Sequence, residues 1–281
     1  MTATLRQWQS VFDTWADADP NVASTGERQS DRAMDRLAGV LADMLGLCGD
    51  ESVLDIGCSN GVLTRRWSTR AREVIGVDYN ARLIERAREL AGGGPVTFQR
   101  ADAQSLPFDD GLFDAVCCYN VFCCLPDLDF ARRAAREAIR VAKPGAAIVL
   151  GSLPDARRRL RLVADCEANG RWYVRVLPRS LRWGVKRLLC PSWSPESSGL
   201  LWFDVEDFVA ELRAEGIAVA LHDDPVYANY HLYRRTLILT KPTASEAAAD
   251  PAAGVVAGAT TRGPRPLHQP GSGPTVEGGT R

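Results

Sequence analysis

Trp8, Phe12 and Trp15 recur at intervals of four and three residues, which lays one apolar stripe along a helix over residues 4–19. A second stripe runs over 30–46, where Met34, Leu37, Val40, Leu41 and Leu45 share a side and Ser30 or Asp31 supplies a cap. From residue 51 the pattern changes. Short apolar runs at 53–56, 74–77, 96–99, 113–119 and 146–151 alternate with helical stretches that open at Gly61, at Asn80 and at Asp127 or Asp129. Gly92-Gly93-Gly94-Pro95 and Lys143-Pro144-Gly145 punctuate that alternation. A helix over 205–215, capped by Asp204 and stopped by Gly216, precedes two more strands at 217–221 and 232–240. Strands separated by helices of roughly 10–15 residues specify βαβ units, so the fold class is α/β with a mostly parallel sheet.

Residues 153–203 interrupt this rhythm with ten Arg or Lys, four Asp or Glu, and Trp172, Tyr173, Trp183, Trp193 and Trp202. They read as a helical insert above the sheet. It is either a solvated cover or an apolar, aromatic cap whose arginines suit a carboxylate or phosphate on a bound acceptor. Its basic amphipathic helix can also lie against a membrane surface, which is the less favoured reading. Residues 241–281 are rich in Ala, Gly, Pro and Thr, lack the apolar groups to offset their ordering entropy, and read as a disordered tail. The expected organisation is N-terminal helices over 1–46 able to form a lid, a ligand-binding core over 47–152, the cap insert over 153–203, the end of the core sheet over 204–240, and the tail over 241–281.

A formal net charge of -1 removes any global field that favours nucleic acid. Residues 1–20 have no apolar leader core, and no run of 18 uncharged apolar residues occurs. The expectation is a cytoplasmic protein with reduced thiols and a small-molecule partner. The cysteine pairs Cys117-Cys118 and Cys123-Cys124, read as strand neighbours, point to opposite faces and make a poor chelate, so no metal is expected. Oligomeric state is left open.

The stretch Val53-Leu54-Asp55-Ile56-Gly57-Cys58-Ser59-Asn60-Gly61 carries the chemistry. A strand enters a tight turn at Gly57, where no Cβ blocks a ligand, and Gly61 opens the next element. Amides at such a helix start favour an anionic group. Asp78 ends the following strand, 21 residues after Gly57, where a carboxylate accepts both hydroxyls of a ribose. Asp102, after the third strand, is placed to accept from an adenine amine. The turn lacks the close-packed glycines of the dinucleotide pattern, so it does not suit a diphosphate.

This segment resembles motif I of the class I S-adenosylmethionine (SAM)-dependent methyltransferases, in the small-molecule, type 11-like group. Further matches are VIGVDYN at 74–80, ADAQSLPFDDGLFDAV at 101–116 and REAIRVAKPGAAIVLG at 136–151. The resemblance spans roughly 50–151, and 204–240 by topology. It implies a Rossmann-like seven-stranded sheet with the last strand antiparallel, SAM as cofactor, and methylation of a small acceptor, aromatic or anionic, at O, N or C. It places Asp55 and Gly57 in the turn beside the methionine portion, with Ser59, Asn60 and Gly61 of the same turn also cofactor-binding, Asp78 on the ribose, Tyr79, Asp102 and Ala103 at the adenine, and Asn120 near the sulfonium and the acceptor. Asn120 alternatively only closes its turn. Cleavage or cyclisation of SAM, or binding without catalysis, are the competing functions.

Two departures matter. Ser59 stands where the family often has Gly. Cys123 and Cys124 stand where many relatives carry a His after the fourth strand, so a base is sought elsewhere. The loop 222–231 offers His222, Tyr230 and His231 as candidate catalytic residues, with a solvent-facing polar hairpin as the alternative.

Overall fold

The computed structural model describes residues 3–23, 29–158, 200–225 and 233–243. Its sheet contains β1 (Ser52–Ile56), β2 (Glu73–Asp78), β3 (Val96–Arg100), β4 (Phe113–Tyr119), β5 (Ala142–Pro154), β6 (Ala218–Asp223) and β7 (Arg234–Thr240). The spatial order is β3-β2-β1-β4-β5-β7-β6. The first five strands pair in parallel, while β7 runs antiparallel to both β5 and β6. Strand β6 therefore runs the same way as the first five, as the sequence predicts. Chain order reverses between β1 and β4, and ligands in open α/β sheets bind at the carboxyl ends of the strands flanking such a reversal.

The helices are α1 (Ala3–Ala16), α2 (Pro20–Ala23), α3 (Asp31–Leu45), α4 (Ala81–Leu90), α5 (Leu128–Val141) and α6 (Val205–Ala214). The expected caps are made: Ser30, Asn80, Asp127 and Asp204 each accept a backbone N–H three residues on. Alternation along the strands supplies two apolar layers. On one face Leu54, Ile56, Val116, Cys118, Ile148 and Leu150 pack with α5 and α6. On the other, Val53, Val74, Ala115, Cys117, Tyr119 and Val149 pack with α3 and α4. Cys117 and Cys118 thus do point to opposite faces.

Four departures have local causes. The stretch after Gly61 forms only a short 3-10 turn at Thr64–Trp67, because Gly61 is held at φ 75° by the loop before it. Strand β5 begins at Ala142, and Lys143-Pro144-Gly145 is absorbed as an irregularity in its pairing with β4, with Gly145 at φ 80°. Strand β6 continues through His222, which pairs with Thr236 rather than lying in a loop. Cys123 and Cys124 are not on a strand but on a 3-10 turn, Phe122–Cys124.

The two ends of the insert are fastened together. Asp155 and Phe203 form a β-bridge, and Leu201 N donates to Cys123 O at 2.8 Å. The insert's body over 159–199, including most of its Arg and Trp residues, lies outside the described residues, as do 226–232 and 244–281. Among the described residues no helix is long and apolar enough to cross a membrane.

Candidate active site

The turn after β1 is held to β2 by backbone hydrogen bonds. Gly57 N and Cys58 N both donate to Val77 O, at 2.7 and 2.9 Å, which ties the turn to the end of β2. Gly57 has φ 74°, and a methyl added there would overlap Val121 of the turn after β4. Gly61 is similarly filled from behind by the Phe98 ring. Ser59 takes a left-handed φ of 53°, a conformation that glycine adopts at lower cost.

Asp78 closes the loop from the other side. Its carboxylate accepts from Ser59 N at 2.9 Å and from Asn80 N at 2.8 Å. Asp55 is buried within β1 and accepts from Thr64 Oγ1 at 2.6 Å. Asn60 is buried; its amide nitrogen donates to Pro20 O at 2.9 Å, while Oδ1 has no hydrogen-bond partner among the described residues. An unpartnered buried acceptor is costly unless a ligand supplies the donor. Asp55, Gly57, Ser59, Asn60, Gly61 and Asp78 are thus brought to one turn.

Burial, aided by the neighbouring charge of Asp78 and opposed by the Thr64 hydroxyl, raises the Asp55 carboxyl to about 7. Burial also raises Asp78. A carboxyl raised on folding holds a proton that the unfolded chain releases near its ordinary value of about 3.9. Its contribution to stability is therefore full below that value and is lost as pH rises through about 7. The melting temperature of the ligand-free protein is expected to fall between pH 5 and pH 7.5 on this account, and Asp55→Asn to flatten the fall. An unchanged slope in the variant would remove Asp55 as its source.

Tyr79 is exposed at the strand end, with the Arg100 guanidinium 5.4 Å from its ring centre. Asp102 accepts from Gln104 N at 2.9 Å, and Ala103 lies part-buried beside it. These three occupy the ends of β2 and β3. Helices α1 and α2 close over the same edge. Asn80 Nδ2 donates to Asp13 at 2.7 Å, Arg82 pairs with Asp17 at 2.8 Å, and Pro20 receives Asn60. Of the aromatic stripe, Phe12 and Trp15 pack against Ala16 and Leu83, so that part of it is core.

Across from the glycine turn, Asn120 (φ 61°) ends β4. Its side-chain oxygen accepts from Arg234 Nη1, which also donates to Ser152 Oγ at 2.7 Å. Ser152, itself at φ 64°, and Asn120 are turned toward one buried guanidinium. Behind them Asp224 accepts from Tyr119 OH, Ser152 N and Thr236 Oγ1, at 3.1, 3.2 and 2.6 Å. Arg234, Ser152 and Asp224 were not anticipated from sequence. The available signal was a charged residue opening an apolar strand with Thr236 on the same face, but Arg235 beside it gave no basis for choosing.

His222 is exposed on the edge strand β6, four positions from β1 in the sheet. At about 4.8 Å per strand that is roughly 19 Å from the glycine turn. Tyr230 and His231 lie outside the described residues. Among the described residues no cluster of His, Cys, Asp or Glu is arranged to hold a metal ion.

Comparison with known proteins accords with this geometry. A family described as "Methyltransferase domain" matches residues 54–150, from β1 into β5. Demethylmenaquinone methyltransferase of Clavibacter sepedonicus is 30% identical over 212 residues, 72% of this chain and 78% of that enzyme. The 27-O-demethylrifamycin SV methyltransferase of Amycolatopsis mediterranei is 34% identical over 151 residues, 52% of this chain, and the match spans only 53% of that enzyme. In fold, the chain resembles Haemonchus contortus phosphoethanolamine N-methyltransferase 1, with a TM-score of 0.59 at 20% identity over 87% of this chain and 51% of that one. The glycine turn, the strand-end carboxylates and the relative matched along most of its length place the chain in the class I SAM-dependent methyltransferases.

Proposed function

We propose that the protein transfers the methyl group of SAM to a hydroxyl of a small, oxygenated ring metabolite. The observation that carries the reading is the loop of Gly57, Asn60 and Asp78, packed through Gly57 against the turn that follows β4. The residues suit the cofactor. Asn60 Oδ1 is a buried acceptor in need of an ammonium donor. Each Asp78 oxygen has a second lone pair for a ribose hydroxyl. Tyr79 supplies an exposed ring, and Asp102 an acceptor with Ala103 beside it. When bound, SAM supplies a methyl on a positively charged sulfur, an electrophile that needs no metal.

The chain's own contribution is placement and exclusion of water. Transfer from a sulfonium is an in-line displacement, so holding the acceptor atom at the methyl carbon supplies much of the acceleration. Helices α1 and α2 cover the cofactor side through Asp13, Asp17 and Pro20. The insert is rooted at Asp155 and Phe203, with Leu201 on the Cys123 carbonyl, and in this reading covers the acceptor side. The names of the rifamycin and menaquinone enzymes favour an oxygenated ring acceptor over a macromolecule. On this reading His222 is too distant to act on the acceptor from β6. Tyr230 and His231 stay candidates for acceptor contact.

Incubation with deuteromethyl-SAM and a metabolite extract, followed by mass spectrometry, tests the proposal. A labelled small molecule together with S-adenosylhomocysteine is expected. Methylthioadenosine without a labelled acceptor would instead establish attack on the aminobutyrate carbons and overturn methyl transfer.

A further inference from the structure

We propose that Arg234 is a positioning residue for methyl transfer: its guanidinium fixes the turn after β4 against the cofactor loop and joins that turn to the roots of the insert. This rests on the methyl-transfer reading above and adds to it a residue that acts through others. Among the described residues three non-glycines hold a left-handed φ: Ser59 at 53°, Asn120 at 61° and Ser152 at 64°. They lie at the carboxyl ends of β1, β4 and β5, which are neighbours in the sheet. Such conformations persist only where the surroundings over-determine them, and they concentrate at functional sites. Ser59 is held by Asp78. Asn120 and Ser152 share one holder. Arg234 Nη1 donates to Asn120 Oδ1 and, at 2.7 Å, to Ser152 Oγ, so its two protons hold two strand ends. A guanidinium only donates, so Asn120 faces it with its oxygen and not its NH2. Cys123 Sγ, 3.6 Å from the same Oδ1 and from Asn120 O, closes the turn from its other end.

From Arg234 the hold runs in two directions. Toward the cofactor, Asn120 is followed by Val121, whose side chain fills the space beside Gly57. Through this contact the position of Asn120 sets how closely the turn after β4 approaches the glycine turn. Toward the insert, Ser152 lies where β5 parts from β4. Their pairing ends at Tyr119 and Gly151, and β5 continues beside β7 after a register shift between Leu150 and Leu153. Three residues past Ser152, Asp155 N donates to Tyr233 O at 2.9 Å, and Asp155 bridges Phe203. The second root, Leu201, hangs on Cys123 O. Both roots of the insert thus meet the segments that Arg234 holds. Asp224 steadies the same cluster from behind, accepting from Ser152 N and from the hydroxyl of Tyr119, the last residue of β4.

A hold placed here acts on rate rather than on cofactor affinity. The cofactor loop has its own supports: Gly57 and Cys58 hang on Val77 O, Ser59 on Asp78, and Asn60 on Pro20 O. Releasing Asn120 leaves those bonds in place but frees the turn after β4 and the insert rooted beside it, which in the proposed reading face the acceptor. A misplacement of about 1 Å between reacting groups costs about 10²-fold in rate.

The test uses the full chain with Arg234→Met, which loses the donors, and Ser152→Ala, which keeps the guanidinium and removes one of its two oxygens. Hydrogen exchange in the ligand-free protein reads the turn directly. The amides of Asn120, Cys124 and Leu125, which donate to Gly151 O, Val121 O and Phe122 O, should exchange faster in both variants, while those of Gly57 and Cys58 keep their protection. SAM affinity in calorimetry should match that of the unaltered protein. With the labelled acceptor recovered from the extract, kcat at saturating SAM should fall about 10²-fold in Arg234→Met. In Ser152→Ala it should fall about tenfold, the worth of one hydrogen bond to a charged group. The double variant should lose little more than Arg234→Met alone. If Arg234→Met does not fold, Ser152→Ala decides by the same readings. Unchanged exchange over 120–125, or unchanged kcat, would overturn the proposal. So would a loosened glycine turn and weakened SAM binding in step with the loss of kcat, which would make Arg234 a general support of the fold. If the unaltered protein transfers no label, the methyl-transfer reading fails and takes this role with it. Label transferred equally by the unaltered protein and both variants would sink Arg234 alone.

Discussion

Asp78→Ala is expected to weaken SAM binding by about 10²-fold or more in calorimetry. The carboxylate has two jobs at one place. Each oxygen already accepts one loop N–H, from Ser59 and from Asn80, which sets the shape of the glycine turn. In the proposed reading the remaining lone pairs are the ones that accept from the ribose hydroxyls. Losing two hydrogen bonds to a charged acceptor costs about 3 kcal/mol at 1.5 kcal/mol each, which is roughly 10²-fold in affinity. Asp78→Asn separates the two jobs. Its carbonyl can still hold one N–H, but its NH2 faces the other donor, so affinity should fall while the melting temperature stays closer to that of the unaltered chain. Unchanged affinity in Asp78→Ala would remove Asp78 from the cofactor site.

What was readable in advance follows from how local each signal is. Caps such as Ser30, Asn80 and Asp127 are set by hydrogen bonds three residues long, and they appear where predicted. The strands are short apolar runs with clear breakers, and the direction of β6 follows from the crossover rule. The glycine turn and its strand-end carboxylate announce themselves by fixed spacing along one βαβ unit. The Arg234 cluster had no such signature. Asn120, Ser152 and Asp224 reach Arg234 or its neighbours across separations of 114, 82 and, for Asp224 to Tyr119, 105 residues. Nothing in a single sequence couples positions so far apart. The cysteine pair was misplaced for a different reason. A strand assumption put its thiols on opposite faces, whereas the chain had already left the strand at Asn120, whose left-handed φ of 61° makes the corner. An Asn tolerates that conformation better than most residues, so its presence just before the Val-Phe-Cys-Cys run was the available hint.

Gly57→Ala should abolish SAM binding and destabilise the fold by about 2–4 kcal/mol, and its two causes can be separated. One is the backbone: Ala at φ 74° costs about 1 kcal/mol over Gly. The other is the overlap of the new methyl with Val121 Cγ2, in a contact with no spare volume, and overpacking of that kind costs roughly 1–3 kcal/mol. The turn cannot retreat, because Gly57 N and Cys58 N are both held by Val77 O. Val121 cannot retreat easily either, since it leads into the turn that carries Cys123 and Cys124. Val121→Ala in the same chain removes the overlap but leaves the backbone cost. Chemical denaturation of the four proteins should therefore show the double variant more stable than the sum of the single losses, by about 1–2 kcal/mol. Additive losses would mean that the two turns do not press on each other, and that the closeness of the cofactor turn to the turn after β4 has some other origin. Because that contact joins the cofactor half of the site to the half carrying Asn120, Gly57→Ala should also slow methyl transfer at saturating SAM if any binding survives, and Val121→Ala should restore part of it.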